Sequence, residues 1–212
     1  MKTTRASAPI ICLGDSLTAG DPHVEDGQWP TRLQWLLGRS QPESSEVYNC
    51  GVAGNTSAQG LDRMEEAVMP LLPGRVLIAF GINDCNVRPN RRTPRVGVSE
   101  FASNLREAIR MVRTVDGLPI LLSPHYPEPD RRAEGLRKYD QGNGLTYAEN
   151  FRPYHLAAQR VARGCEVSLI DMPKLIVRAG RKVSDLLAED GVHLTAEGNR
   201  FYAEQIQPFF SA

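Results

Sequence analysis

Gly14-Asp15-Ser16-Leu17-Thr18-Ala19-Gly20 follows directly on the apolar run Ile10-Ile11-Cys12-Leu13. This order predicts a strand that ends at a tight corner, with Ser16 at the start of a helix. In open α/β sheets ligands bind at the carboxyl ends of strands, and the N–H groups of a helix N-terminus favour negative charge. The position therefore suits a nucleophile beside a developing oxyanion. The alternative is that the glycines only form turns and that Asp15 or Ser16 only caps a helix.

Apolar and β-branched segments alternate with helical patterns along the rest of the chain. The predicted strands are Pro9–Leu13, Glu46–Asn49, Arg75–Phe80, Leu118–Ser123 and Glu166–Ile170, and the predicted helices are Trp29–Leu37, Ser57–Met69, Phe101–Val115, Asn150–Ala162 and Ala196–Phe209. Such alternation implies right-handed βαβ crossovers and a mostly parallel sheet covered on both faces. We expect an α/β fold and a single domain over residues 1–212.

Two irregular stretches interrupt this alternation, Cys85–Pro94 and His125–Thr146. Both follow predicted strands, so both should lie on the face that holds Ser16. The first stretch contains Arg88, Arg91 and Arg92, and Arg95 follows it. We interpret these arginines as a solvated loop in preference to a specific anion pocket.

Composition and charge exclude several classes of protein. The 25 basic and 25 acidic residues balance, so nucleic acid or an anionic membrane surface is not the expected partner. The chain has no run of about 18 apolar residues and no visible signal peptide, which makes a cytoplasmic location the default unless a leader has been trimmed. Cys12, Cys50, Cys85 and Cys165 are widely spread, which predicts reduced, mostly buried thiols.

Two further strings follow the second and third predicted strands. In Asn49–Ser57 a glycine can bring its backbone N–H close to a ligand, because it has no Cβ. In Gly81–Asp84 the Asn83 amide can donate a hydrogen bond to a developing oxyanion. Both strings are also compatible with ordinary turns.

The string Asp190-Gly191-Val192-His193-Leu194-Thr195 precedes the last predicted helix. One short loop can thus deliver a carboxylate and an imidazole together. His193 would accept the Ser16 proton, and Asp190 would hold the imidazole tautomer. The alternatives are a structural pair or, with Glu197, a partial metal site, for which other clustered ligands are missing.

The chain resembles the SGNH hydrolases, also called the GDSL family of esterases and lipases, over nearly its whole length. Four motifs occur in the family's order. They are Gly14–Leu17, Gly54 within Gly51–Ser57, Gly81–Asp84 and Asp190–His193. Each motif is weak alone, but four in sequence, each at a predicted strand end or before a helix, are a specific signal.

The resemblance implies a flavodoxin-like, three-layer α/β/α sandwich around a mostly parallel five-stranded sheet. It also implies a catalytic triad of Ser16, Asp190 and His193. The oxyanion hole would consist of the Ser16 and Gly54 backbone N–H groups and the Asn83 side chain. The G-x-S-x-G elbow of the α/β-hydrolases is absent from the sequence.

Two other residues are candidates for a role near the substrate. Asp15 is expected to be a buried or capping carboxylate that shapes the nucleophile corner, in preference to a second catalytic acid, and it is also a candidate for substrate binding. His125 either lines the acyl or alcohol pocket or is a satisfied loop histidine. His23 and His155 have no motif around them and receive no role.

The expected function is that of a serine esterase that hydrolyses carboxylic esters of small-to-medium acyl groups through an acyl-enzyme. A small-molecule ester is the expected partner, with neither metal nor cofactor, and the oligomeric state is open. The alternatives within the family are a carbohydrate O-acetylesterase or an acyl thioesterase. The alternative from another class is a non-catalytic ligand-binding module on the same fold.

Overall fold

A parallel sheet organises the computed structural model, which describes residues 8–20, 27–40, 46–129 and 139–210. Within these ranges five strands pair in the order β2-β1-β3-β4-β5. The strands are β1 (Ile10–Gly14), β2 (Val47–Gly51), β3 (Arg75–Ala79), β4 (Leu118–Ser123) and β5 (Ser168–Asp171). The five predicted strands and the parallel arrangement are thereby confirmed.

Helices connect these strands and cover the sheet. They are α1 (Ser16–Ala19), α2 (Trp29–Ser40), α3 (Ser57–Asp62), α4 (Met64–Ala67), α5 (Ile82–Cys85), α6 (Val98–Arg113), α7 (Tyr147–Gly164), α8 (Met172–Arg178) and α9 (Ala196–Ile206). The helix predicted over Ser57–Met69 is interrupted at Arg63, which separates α3 from α4. Helix α8 was not predicted, because its seven residues are too few to show a helical period.

Alternate residues of each strand face opposite layers of helices. Ile11 and Leu13 of β1 belong to one hydrophobic cluster, which includes residues of α6 and α7. Ile10 and Cys12 belong to a second cluster, which includes residues of α2 and α9. All four side chains are fully buried, as expected when a parallel sheet is covered on both faces. The fold is the predicted three-layer α/β/α sandwich.

The predicted apolar stripes account for the packing of the long helices. In α6 the side chains at three- and four-residue spacing all reach the core, and they are Phe101, Leu105, Ile109 and Val112. Trp29 and Leu33 do the same for α2 in the opposite layer. Burial of one face of each helix against the sheet holds the strand ends in place.

The strand order places three loops at one edge of the sheet. The chain winds to one side of β1 to form β2 and to the other side to form β3, which creates the switch point where doubly wound sheets bind ligands. Gly14 at the end of β1 lies in register with Gly51 of β2 and Ala79 of β3. The segments that carry Ser16, Gly54 and Asn83 therefore leave the sheet at the same level.

The four cysteines all lie within the described ranges. Cys12 and Cys85 are buried free thiols, as expected, whereas Cys50 and Cys165 are free thiols that are only partly buried. Across the described ranges we find no helix with the length and apolar character that crossing a bilayer requires. The cytoplasmic location stays a prediction.

Candidate active site

Ser16 lies at the first position of α1, immediately after the Asp15 cap. The Asp15 carboxylate accepts a hydrogen bond from the Leu17 N–H at 3.0 Å, which closes the corner. The Ser16 N–H is one of the helix-start amides that have no partner within the helix. Leu17 is buried and Ser16 is partly exposed, so the corner turns the hydroxyl outward while the core holds its neighbour.

The loop before α9 brings Asp190 and His193 to this corner. His193 Nε2 lies 3.0 Å from Ser16 Oγ, and His193 Nδ1 lies 2.6 Å from Asp190 Oδ2. Gly191 has φ 66°, a conformation that favours glycine, and a Cβ there would lie 2.2 Å from the Glu128 carbonyl oxygen. Glycine at this position therefore permits the tight turn between the carboxylate and the imidazole.

Hydrogen bonds hold the Asp190 carboxylate as an anion. Partial burial alone would raise the pKa of Asp190, but hydrogen bonds from the His193 side chain and from the His193 and Val192 N–H groups lower it well below its usual range. A carboxylate that faces Nδ1 assigns the proton of the neutral imidazole to Nδ1. Nε2 then accepts the hydrogen bond that the Ser16 hydroxyl donates.

The loop after β2 carries Gly54 beside this edge of the sheet. Gly54 is exposed with φ 78°, and a Cβ there would meet no atom within 4 Å, so the backbone conformation rather than crowding favours glycine. The Asn83 Nδ2 donates to the Asn55 carbonyl at 3.0 Å. An amide nitrogen carries two protons, and the Asn83 side chain also hydrogen-bonds the buried Asp15 carboxyl.

Two charged residues tie the loops together. Arg63 donates both to the Asn55 side chain at 2.8 Å and to the Gly14 carbonyl at 2.9 Å, which links the Gly54 loop to the nucleophile corner. Asp84 is fully buried and accepts from the Ser57 N–H at 2.9 Å. Burial raises the pKa of Asp84, and the Ser57 hydrogen bonds oppose that rise. These bonds fix the relative positions of the candidate oxyanion donors.

The structure does not bring Asp15 or His125 to the surface of the cleft. Asp15 is 2 % exposed and His125 is 1 % exposed, so neither side chain is accessible to a substrate. Asp15 is the buried cap that was expected.

His125 lies below the loop that carries Asp190 and His193. Its Nε2 donates to the Val192 carbonyl at 2.9 Å, because a carbonyl can only accept. Its Nδ1 lies 2.6 Å from the Tyr202 hydroxyl, which therefore donates to it. Both ring nitrogens are satisfied, and burial lowers the pKa of His125 to about 4. We assign His125 to holding this loop instead of to substrate contact.

A cleft of about 540 Å³ opens over these residues. Its lining includes Ser16, His193 and Asp190, together with the apolar Leu17 and Leu194. A second cavity of about 480 Å³ lies between α7 and α8, and none of the predicted site residues lines it. The cleft at Ser16 is therefore the candidate active site.

The irregular stretches border this edge of the sheet. Arg92 donates to the Gly142 carbonyl, and Arg95 donates to the Gln59 side chain. These hydrogen bonds join the first irregular stretch to the second one and to α3. In the second stretch residues 130–138 lie outside the described ranges. Its described part contains Tyr139, whose hydroxyl donates to Asp190 Oδ2 at 2.9 Å.

His155 and Glu197 have separate partners, and His23 lies outside the described residues. His155 lies 2.7 Å from the Ser123 hydroxyl, away from the cleft. Glu197 forms ion pairs with Arg181 and Arg200. Among the residues that the structure describes, His, Cys, Asp and Glu side chains form no group of three or more suited to a metal ion.

The roles of Arg63, Tyr139 and Tyr202 as hydrogen-bond partners of site residues were not predicted from the sequence. The bonds from Arg63 to Gly14 and from Tyr139 to Asp190 span 49 and 51 positions of the chain. No local pattern marks such partners, so only the fold reveals them.

The Ser16, His193 and Asp190 side chains form a hydrogen-bonded chain at the end of the first strand of this sheet. A family model for the GDSL-like lipase/acylhydrolase family matches residues 12–201. The chain belongs to this family and is an ester-bond hydrolase.

Relatives of known name support this classification. The chain is 28% identical to a Bos taurus isoamyl acetate-hydrolyzing esterase 1 homolog, over 94% of this chain and 80% of the relative. It is 25% identical to the Escherichia coli thioesterase 1/protease 1/lysophospholipase L1, over 97% and 88% of the two chains.

Solved structures show the same fold. A lipase/acylhydrolase from Enterococcus faecalis matches with a TM-score of 0.71 and 26% identity, over 95% of this chain and 94% of that one. An acetylxylan esterase from Geobacillus stearothermophilus matches with a TM-score of 0.75 and 20% identity, over 99% and 97%. At that identity the second likeness concerns the fold alone.

Proposed function

We propose that this protein hydrolyses carboxylic esters of small-to-medium acyl groups, with Ser16 as nucleophile, His193 as general base and acid, and Asp190 as the carboxylate that orients His193. The observation that carries the proposal is the unbroken chain of contacts from Ser16 Oγ to His193 Nε2 at 3.0 Å and from His193 Nδ1 to Asp190 Oδ2 at 2.6 Å. Both distances lie within hydrogen-bond reach, as proton transfer requires.

In the first half-reaction Ser16 Oγ attacks the ester carbonyl carbon while His193 Nε2 takes the hydroxyl proton. The carbonyl electrons move onto oxygen, and this oxyanion accepts hydrogen bonds from the Ser16 and Gly54 N–H groups and from the Asn83 amide. Asp190, held as an anion by its hydrogen bonds, stabilises the imidazolium. The intermediate collapses, and the departing alcohol takes the proton from Nε2.

In the second half-reaction His193 removes a proton from water, which attacks the acyl-Ser16 carbonyl. The same donors stabilise the second oxyanion. Its collapse releases the carboxylic acid and returns the proton to Ser16 Oγ. Each half-reaction thus uses the same three side chains in the same geometry.

The site has room for acyl groups of small to medium size. The cleft holds about 540 Å³, and apolar side chains such as Leu17 and Leu194 line part of it. The Bos taurus relative is named for isoamyl acetate, a small ester. A carbohydrate O-acetylesterase and an acyl thioesterase use the same chemistry, so acetylated sugars and thioesters belong in the substrate panel.

The test is hydrolysis of p-nitrophenyl esters of increasing acyl length by wild type, Ser16→Ala and the control Ser99→Ala, which changes an exposed serine of α6. We expect turnover by wild type and Ser99→Ala, and a loss of roughly 10⁴-fold or more in Ser16→Ala. Equal activity in wild type and Ser16→Ala would remove Ser16 from the mechanism.

Labelling with a fluorophosphonate separates the enzyme from a non-catalytic module. The proposal expects a covalent adduct on Ser16 in wild type and none in Ser16→Ala. Neither adduct nor turnover with esters, acetylated sugars or thioesters would overturn the proposal and favour the ligand-binding module.

The proposal includes the organisation of the chain as one domain over residues 1–212. The two hydrophobic clusters lie on opposite faces of one sheet, which supports a single folding unit. The expected result is one cooperative unfolding transition that coincides by fluorescence and circular dichroism, and two separate transitions would contradict it.

A further inference from the structure

Tyr139 contacts the candidate triad from outside any of the recognised motifs. Its hydroxyl lies 2.9 Å from Asp190 Oδ2, the same oxygen that faces His193 Nδ1 at 2.6 Å. A carboxylate can only accept, so the tyrosine is the donor. Partial burial and this hydrogen bond both raise the pKa of the Tyr139 hydroxyl, so the donor proton stays in place.

The Asp190 carboxylate is thereby bound on both oxygens. Oδ1 accepts from the Val192 and His193 N–H groups, each at 2.9 Å. Oδ2 accepts from the His193 imidazole and from the Tyr139 hydroxyl. The backbone donors belong to the same loop as Asp190, whereas Tyr139 comes from a different segment. Tyr139 is therefore the donor that anchors this carboxylate to the body of the protein.

Neighbouring contacts hold Tyr139 in position. Its carbonyl accepts from the Gln141 side chain at 2.7 Å, and the Gln141 side chain in turn accepts from the Val87 N–H at 2.8 Å. Its ring lies 6.3 Å from the ring of the buried Tyr147. A side chain fixed by packing and hydrogen bonds can hold a partner in turn.

We infer that Tyr139 is a positioning residue for the hydrolytic reaction. Its hydroxyl orients the Asp190 carboxylate, and the negative charge of that carboxylate is divided between the Tyr139 and His193 hydrogen bonds. This inference rests on the proposed function of Ser16, His193 and Asp190. A hydrogen bond donated to Oδ2 withdraws negative charge from the atom that stabilises the imidazolium. Removal of the hydroxyl should leave His193 more basic and Asp190 less firmly oriented.

The first test is the pH dependence of kcat/KM in wild type and Tyr139→Phe. We expect kcat to fall about tenfold and the acidic limb of the profile to move up by roughly 0.5 pH unit. Asp15 and His125 are also coupled to His193, and both are unchanged in the variant. A merely structural role would lower activity without moving the limb.

The matched control is Tyr48→Phe. Tyr48 of β2 also donates its hydroxyl to a carboxylate, that of Glu46, but lies outside the cleft. This variant is expected to keep the wild-type profile. A profile in which Tyr139→Phe differs from wild type no more than Tyr48→Phe does would overturn the inference.

A second measurement does not depend on turnover. The titration of the His193 ring nitrogens, followed by NMR and assigned with His193→Gln, should give a higher His193 pKa in Tyr139→Phe than in wild type. An unchanged titration overturns the role of Tyr139 even if no ester is cleaved. Absence of turnover with a shifted titration would instead count against the proposed function alone.

A double-mutant cycle with correctly folded variants tests whether Tyr139 acts through Asp190. If Tyr139 acts through Asp190, the change to Phe should have almost no further effect on kcat in an Asp190→Ala background. Equal losses in the two backgrounds would show that Tyr139 acts by another route and would refute the inference.

Discussion

Replacement of Asp15 by Asn is expected to stabilise the protein above neutral pH. The Asp15 side chain is 2 % exposed. Burial raises the pKa of Asp15 from 3.8 to about 7, and the nearby Asp84 carboxyl contributes to the rise. Asn keeps an oxygen for the Leu17 N–H and resembles the protonated acid in shape.

The magnitude follows from the two pKa values of Asp15. In the unfolded chain the carboxyl titrates near 3.8, so between pH 3.8 and about 7 the native state binds more protons than the unfolded state. The stability of the wild type therefore falls as the pH rises through this window. At about 1.4 kcal/mol per pH unit, the loss reaches about 4 kcal/mol above pH 7. The Asn variant does not have this loss.

The assay is urea denaturation of wild type and Asp15→Asn at several values from about pH 4 to about pH 8. Groups that titrate in both proteins, such as His125, contribute equally to the two unfolding free energies. Their contributions therefore cancel when one free energy is subtracted from the other. We expect this difference to grow by several kcal/mol in favour of the variant as the pH rises. Asp62→Asn, at an exposed carboxylate that ends α3, is the control and should show no such growth.

A difference that stays constant over this pH range would refute the reasoning. It would mean that the Asp15 carboxyl has the same proton affinity in the native and unfolded states, despite its burial. A variant that is less stable than wild type at about pH 8 would also contradict it. That result would show that the anionic Asp15 carboxylate stabilises the nucleophile corner, whereas its burial predicts that the anion destabilises it.

Acidification should destabilise the protein at His125, whereas it stabilises the protein at Asp15. The reason is that burial lowers the pKa of His125 from 6.5 to about 4. The wild type is expected to lose about 3 kcal/mol of stability from this group as the pH falls from 6.5 to 4, and His125→Gln should lack that loss. The same urea titration checks this, and identical pH slopes in the two proteins would contradict it. Gly14→Ala should destabilise the fold by about 1–3 kcal/mol, because a Cβ would lie 2.1 Å from Thr18 Oγ1 and 3.0 Å from the Ala79 carbonyl oxygen. Thermal melting of both variants measures this, with Gly164→Ala as the control, because a Cβ at Gly164 meets no atom within 4 Å. Equal melting temperatures for Gly14→Ala and Gly164→Ala would disprove the clash.

The strands and long helices could be predicted because their periodicity is local. Arg75–Ala79 and Leu118–Ser123 were found within one residue of their bounds, and the stripe from Phe101 to Val112 identified α6. The break at Arg63 was missed, because a helical pattern continues across it. Periodicity does not encode the order of the strands in the sheet, which the structure gives as β2-β1-β3-β4-β5.

The candidate site was only partly predictable. Ser16, Asp190 and His193 were found because each lies in a short motif at a strand end or before a helix. Their mutual distances could not be derived from the sequence, and neither could the contact from Tyr139. The candidate substrate contacts at Asp15 and His125 failed to reach the cleft, because burial depends on what packs above a residue and a linear pattern does not record it.

By itself the sequence determined the alternation of strands and helices, the corner at Gly14–Gly20 and the residue types available for chemistry. These properties depend on side-chain periodicity and on motifs of a few residues, which act locally. Only the tertiary structure decided that Asp15 and His125 lie below the cleft and that Tyr139 binds Asp190. Desolvation and hydrogen bonds between groups some 50 positions apart are set by the packing of the whole chain, and they determine the protonation and orientation of the reacting groups.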